Sequence, residues 1–221
     1  MQSTLDLFLR SLWPIVSGAL VATIPLALAS FAIGIVVALV VALMRLSPTR
    51  WLRWPARFFV SVIRGTPLLV QLFVVFYGLP SIGIKLDPWP SAIIAFSLNV
   101  GGYGAEIIRA GIQSVPRGQW EAAHTIGMSR GQALRRIILP QAARVSVPPL
   151  SNTFISLVKD TSLASLILVT ELFRQARQIA TVSNEFMLLY LEAALVYWVV
   201  CLVLSSGQGV LEKRLDRHVA H

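Results

Sequence analysis

Among the ionisable side chains in otherwise apolar stretches of this sequence are Arg64, Glu106, Lys159 and Asp160. A charge in hydrocarbon costs about 2.5 to 3.5 kcal/mol on insertion scales, so such a group faces a partner or a water-filled path. Other polar residues accompany two of them at helical spacing. Asn152, Ser156 and Asp160 recur at i, i+4 and i+8, and Asn99, Tyr103 and Glu106 at i, i+4 and i+7, which gathers each set on one helix face. Two such faces can line one solute path. The alternative is ion pairing that closes a bundle, as between Glu106 and Arg109 at i+3 or between Lys159 and a carboxylate of another helix.

Other chemistries find few residues. The three lysines, Lys85, Lys159 and Lys213, follow Ile84, Val158 and Glu212, so the chain carries no Gly-Lys-Ser/Thr phosphate loop and is not itself a P-loop ATPase. Cys201, the single cysteine, sits in an apolar run as a small hydrophobe. His124, His218 and His221 include no i, i+4 pair and have no neighbours at ligand spacing, so no metal site is expected. A membrane-embedded hydrolase lacks its Ser/His/Asp constellation.

The elements that must hold these residues are membrane spans. Of 221 residues, 56% are hydrophobic and 13% charged, about half the roughly 25% charge of a soluble domain. Pro14 to Met44 is free of charge over 31 residues, more than the roughly 20 that a spanning helix needs. Gly65 to Ile84 and Pro88 to Ala105, the latter continuing past Glu106, supply a second and third span. Val145 to Thr170 and Phe186 to Leu211 supply a fourth and fifth. The pattern predicts an all-α integral membrane protein of about five transmembrane helices, with residues 1–221 forming one transmembrane domain. The N-terminus lacks the pattern of a cleaved secretory signal, so the first span is expected to stay. Around Arg64-Gly65-Thr66-Pro67, Thr66 either caps a new helix start at Pro67 or lies in the lower turn of a continuous second span.

Charge orients the bundle. Counting Arg64, 14 of the 19 basic residues fall on alternate loops that form one side, among them Arg45, Arg50, Arg53 and Arg57, six arginines from Arg109 to Arg144, and Lys213, Arg214 and Arg217. Lys and Arg mark cytoplasmic loops, which predicts the N-terminus outside and the C-terminus inside. The formal +9 then records topology and contact with anionic headgroups, and needs no nucleic acid. Trp13, Trp51, Trp54 and Trp89 sit beside the span ends, as an aromatic belt would place them. Glu192, six residues after Phe186, is expected at the outer interface, snorkelling towards headgroups.

The long inner loop has helix punctuation of its own. Ser114 and Pro116 precede a helix-permissive run from Arg117 to Ile126, Gly127 can stop it, and Ser129 with Gln132 forms a capping box for a second helix ending near Pro140. Within it stand Glu121-Ala122-Ala123, Gly127 six residues after the Glu, nine further residues, and Ile137-x-Leu139-Pro140. That spacing resembles the EAA loop of bacterial ATP-binding-cassette (ABC) importer permeases. Two alanines let a short helix approach a partner's backbone, Glu121 supplies one directed charge, and Gly127 permits an abrupt return. His124 is expected to be an interface or surface residue.

The resemblance spreads from about Leu43 to Arg177. Arg64-Gly65-Thr66-Pro67-Leu68, the run Gly104 to Ile112, and Leu157 to Leu163 resemble permeases of polar amino-acid importers. Met44 to Pro48, Gln71-Leu72-Phe73, Tyr77 to Pro80, and Leu150-Ser151-Asn152 through Phe173 to Ala176 look most similar to L-cystine permeases. The resemblance implies a type I ABC importer permease fold in the bacterial inner membrane. It also implies a dimer with a second copy or a paralogue, two ABC ATPase subunits and a periplasmic amino-acid-binding protein. Residues 115–140 would be the cytoplasmic EAA coupling loop, with Glu121, Ala122, Ala123 and Gly127 seated on an ATPase. The chain would bind no cofactor, and ATP-Mg would be used by the ATPase. An amino acid would offer its ammonium to Asp160 or Glu106 and its carboxylate to Arg64 or Lys159 through charge-assisted hydrogen bonds, with Asn99, Tyr103, Asn152 and Ser156 along the path. A self-contained ion-coupled carrier is the rival reading, weakened by five spans without an inverted repeat.

Overall fold

The computed structural model describes residues 4–216; Arg217, His218 and His221 lie outside them. The described residues are helical almost throughout. Helices α1 (Thr4–Gly18) and α2 (Ile24–Leu46) join through a π turn at Ala19–Thr23. Then come α3 (Arg50–Gly65), α4 (Leu68–Phe73), a π turn and a 3-10 turn to Ile82, α5 (Pro88–Ser114) and α6 (Arg117–Thr125). Next, α7 (Arg130–Ala133) runs through a π turn into α8 (Leu139–Asp160), a 3-10 segment (Thr161–Ile167), α9 (Leu172–Ser183) and α10 (Phe186–Asp216). Three continuous helices are long and apolar enough to cross a membrane, and two bent pairs raise the total to five.

Proline writes the bends. Each π turn ends two residues before one: Ala19–Thr23 before Pro25, Val74–Gly78 before Pro80, and Leu134–Ile138 before Pro140. A proline ring clashes with the carbonyl four residues back and offers no N–H. The widened turn relieves both, because the N–H of Ile24, Leu79 and Leu139 bonds five residues back, to Ala19, Val74 and Leu134. This corrects the expectation that the second loop helix ends near Pro140. The helix that starts at the Ser129 capping box passes Pro140 and reaches Asp160, so the fourth span rises directly out of the inner loop.

The Gly65–Pro67 segment is a break. Helix α3 and the stretch Leu68–Ile82 meet at 108°. Thr66 does not cap the new start: its hydroxyl donates to Val62 O at 2.8 Å, and α4 has no side-chain cap. The α3 region expected as loop is instead a helix with three faces. Ala56, Val60 and Ile63 are buried, Trp51, Trp54 and Phe58 are exposed, and Arg50, Arg53, Arg57 and Arg64 share the third.

Helix α5 is the axis of the bundle and reaches its neighbours through glycines. A methyl group on Gly34 of α2 would stand 2.6 Å from Val100, one on Gly101 2.6 Å from Val37, and one on Gly102 2.5 Å from Ile63 of α3. One on Gly111 would collide with Ser146 of α8. Without Cβ atoms the backbones close to van der Waals contact, the main source of helix association where water is absent.

Two further expectations change. The loop after the fourth span contains α9, capped by Glu171, a fully buried residue whose carboxylate accepts from the N–H groups of Phe173 (2.9 Å) and Arg174 (2.7 Å) and from Tyr197 Oη (2.9 Å). Glu192 does not snorkel. Helix α1 covers it, leaving it 2% exposed, and Ser11 Oγ donates to its carboxylate at 2.6 Å.

Candidate functional site

The kink at Gly65–Pro67 turns the ends of α3 and α4 towards α5 and α8, and between them opens a cavity of about 540 Å³. Seven of the eight path residues read from the sequence line it: Arg64, Asn99, Tyr103, Glu106, Asn152, Ser156 and Asp160. The two helical registers explain the convergence, since α5 turns its 99, 103, 106 face and α8 its 152, 156, 160 face into the same space.

Lys159 is the exception. It points into a separate groove of about 610 Å³ between the end of α8, α9 and α10, walled by Phe173, Tyr190 and Trp198. One residue of helix is a turn of about 100°, so Lys159 and Asp160 leave α8 on different faces.

The two cavity carboxylates differ in surroundings. Glu106 is taken: Arg45 of α2 contacts its Oε1, Arg109 Nη2 lies 2.8 Å and Arg64 Nη1 3.9 Å from its Oε2. It therefore makes the interhelical ion pairing that was the alternative to a solute role, with Arg45 as a partner that loop counting did not single out. The Asp160 side chain, half-buried where α8 tightens into the 3-10 segment, makes no hydrogen bond or ion pair among the described residues. Its carboxyl group is left open to the cavity. Arg64 is held loosely, 3.9 Å from Glu106 and 5.6 Å from the centre of the Tyr103 ring, a cation–π arrangement that leaves guanidinium donors free. Asn152 is steadied by Gln208 Nε2 of α10 at 3.1 Å. The cavity thus offers an acceptor at Asp160 and a donor fork at Arg64, with neutral polar groups between them.

Gln71 escaped notice as a site residue. Its Nε2 donates to Ile63 O (2.8 Å), Thr66 O (3.1 Å) and Thr66 Oγ1 (3.0 Å), and its Oε1 accepts from Asn99 Nδ2 at 3.1 Å. One amide satisfies carbonyls stranded by the break and fixes a cavity side chain. Its signals were a polar residue four positions after Pro67 and its place in the Gln71-Leu72-Phe73 run.

The second element is α6 with its return. Ala123 is fully buried, while Glu121, Ala122 and His124 are exposed. The chain reverses through Gly127 at φ +79°, with Met128 N–H bonding Ala123 O and Gly127 N–H bonding His124 O, the paired closure of a Schellman turn. A β-carbon would strain that backbone. Because α7 is continuous with α8, a push on α6 meets the foot of the helix that carries Asp160.

A family model described as "Binding-protein-dependent transport system inner membrane component" matches residues 30–217. The chain is 59% identical over 216 residues to the L-cystine transport system permease protein TcyB of Bacillus subtilis (strain 168), covering 97% of this chain and 92% of that one. A solved amino acid ABC transporter, crystallised with histidines, superposes with a TM-score of 0.85 at 37% identity, covering 91% of this chain and 94% of the other. A chain of the MetNI methionine ABC transporter shares the fold, with a TM-score of 0.71 at 16% identity.

Proposed function

The chain belongs to the binding-protein-dependent transport system inner membrane component family, and from that membership we propose how its cavity and its inner hairpin divide the work of import. It is a multi-pass membrane permease subunit of an ABC amino-acid importer, and it is not an enzyme. The solute we assign is L-cystine, on the 59% identity to a permease that carries this name.

The observation that carries the reading is the cavity in which Asp160 stands unpaired opposite Arg64. An α-amino acid bears an ammonium beside a carboxylate. Asp160 accepts from the ammonium and Arg64 donates to the carboxylate, with Asn99, Asn152 and Ser156 exchanging hydrogen bonds for lost water. Glu106 holds the arginines that frame the site and Tyr103 orients Arg64. Lys159 stays outside the path.

Two copies, or this chain with a paralogue, enclose the path, and each seats Glu121, Ala122, Ala123 and Gly127 on one of two ATPase subunits. ATP-Mg belongs to those subunits. A binding protein delivers solute on the outer side, and the clustering of 14 of the 19 basic residues on alternate loops supports an N-terminus outside and a C-terminus inside.

Reconstitution into liposomes tests the reading. Vesicles holding the permease, its ATPase and its binding protein are expected to accumulate radiolabelled cystine only with ATP. Uptake by the permease without the ATPase would establish the ion-coupled carrier instead.

A further inference from the structure

A different cavity, of about 560 Å³, lies at the root of the inner hairpin, between the ends of α2 and α5, the inward side of α6 and the start of α7. Its volume falls within the roughly 300–1,000 Å³ of small-ligand sites. One wall is apolar, built from Leu46, Ile112, Leu134 and Trp120. The other carries Arg117, Arg130, Gln113 and Ser47, whose hydroxyl oxygen accepts from Thr49 N–H at 3.2 Å and so is left as a donor. No carboxylate lines it. Gln113 Oε1 is already taken by Arg109 Nη1 at 2.5 Å, which leaves only its amide donors. Neither the Arg117 nor the Arg130 side chain makes a hydrogen bond or ion pair among the described residues. The polar wall is therefore a set of donors with two uncompensated positive charges, next to a surface that excludes water.

We propose that this cavity binds a phosphate-bearing anion, gripped between Arg117 and Arg130. The planar guanidinium forks match phosphate oxygens. The lining runs past Arg45, from Leu43 to Pro48, and starts three residues past Arg109, at Ile112, where the spans leave hydrocarbon for the inner headgroup layer. An anionic phospholipid satisfies both walls, phosphate to the arginines and glycerol with upper acyl carbons to the leucines and Trp120. Free phosphate satisfies only the first. Because Arg117 opens α6 and Arg130 opens α7, one bound phosphate would tie the two arms of the hairpin to each other at the membrane surface.

The test uses the full-length chain purified in detergent with its accompanying subunits. Native mass spectrometry measures retention of phosphatidylglycerol, and inorganic phosphate is titrated as a competitor. Arg117→Gln with Arg130→Gln is expected to lower retention about tenfold or more. Arg135→Gln with Arg136→Gln removes the same charge from exposed positions outside the cavity and is expected to change retention less than about twofold, which separates a site from general attraction. Displacement of the lipid by millimolar phosphate would make free phosphate a competent source, and resistance to it would leave the lipid as the source; both outcomes uphold the site. Equal losses in the two double variants, or wild-type retention in the first, would overturn it. The single variants Arg117→Gln and Arg130→Gln, each expected to lose about threefold or more, keep the measurement decisive if the double variant is unstable. The readout does not involve transport, so it stands or falls apart from the cystine assignment.

Discussion

Replacing Glu106 by Gln would leave the arginines of three helices facing one another with no counter-charge. The side chains of Glu106, Arg45 and Arg109 are only 19%, 18% and 28% exposed. Removing one partner from a fully buried pair costs about 3 to 5 kcal/mol. Residual solvation lowers this, and Arg64 at 3.9 Å adds little because it is half in solvent, so about 2 to 3 kcal/mol is expected here. For a chain of this size that corresponds to a fall of about 5 to 10 °C in melting temperature. Thermal unfolding of the purified transporter, followed by the loss of monodisperse protein, measures it. The physical cause is tested by a double-mutant cycle. Arg45→Gln in the Glu106→Gln background removes the surplus positive charge and is expected to recover about half of the loss, whereas Arg45→Gln alone destabilises. If Glu106→Gln melts with the wild type, or if the two substitutions add without coupling, the cluster is not what ties α2 to α5 at this level.

Asp160→Asn keeps the size of the group and removes its charge; the loss of a charge-assisted hydrogen bond, about 1.5 to 3 kcal/mol, predicts a half-saturating cystine concentration at least about tenfold higher in liposome uptake. Unchanged uptake at equal expression and assembly would remove Asp160 from the path. Ala122→Asp, at an exposed position of α6, is expected to abolish ATPase co-purification while the permease stays folded. The same change at fully buried Ala123 should destabilise the permease itself, so identical behaviour of the two in gel filtration would contradict the assigned faces. Gly111→Ala drives a methyl group against Ser146 and should cost about 1 to 3 kcal/mol by overpacking. Ser146→Ala in the same chain should return part of it, as read by thermal unfolding.

The polar residues of the cavity were legible because helical periodicity requires no knowledge of the neighbours. The 99, 103, 106 and 152, 156, 160 registers place a face, and the apolar remainder of each helix decides that the face turns inward. The same arithmetic separates Lys159 from Asp160, but a charge pair adjacent in sequence invites a shared role, and the resemblance reinforced it. What the sequence did not disclose depends on contacts between distant segments. Glu192 looks like an interfacial residue until α1 covers it, and Glu171 looks like a loop charge until it caps α9 beneath Tyr197. Pro140 reads as a stop because a regular helix cannot hold it. The π turn that makes room has no compositional mark beyond the proline itself.

The glycine seams of α5 bear on how the molecule can move. With Gly34, Gly101 and Gly102 each facing a side chain at less than the width of a methyl group, α2, α5 and the end of α3 mesh like cogs, and sliding any one by a residue would replace glycine with a bulky neighbour. Interlocked surfaces of this kind resist gradual shear. Alternation of the path between the two sides of the membrane then falls to the segments outside the mesh, the Leu168–Glu171 linker before α9 and the α6 hairpin. Spin labels on α2 and α5 are expected to keep one separation through the ATP cycle while a pair on α9 and α5 reports two. A changing α2–α5 distance would show that the cogs slip.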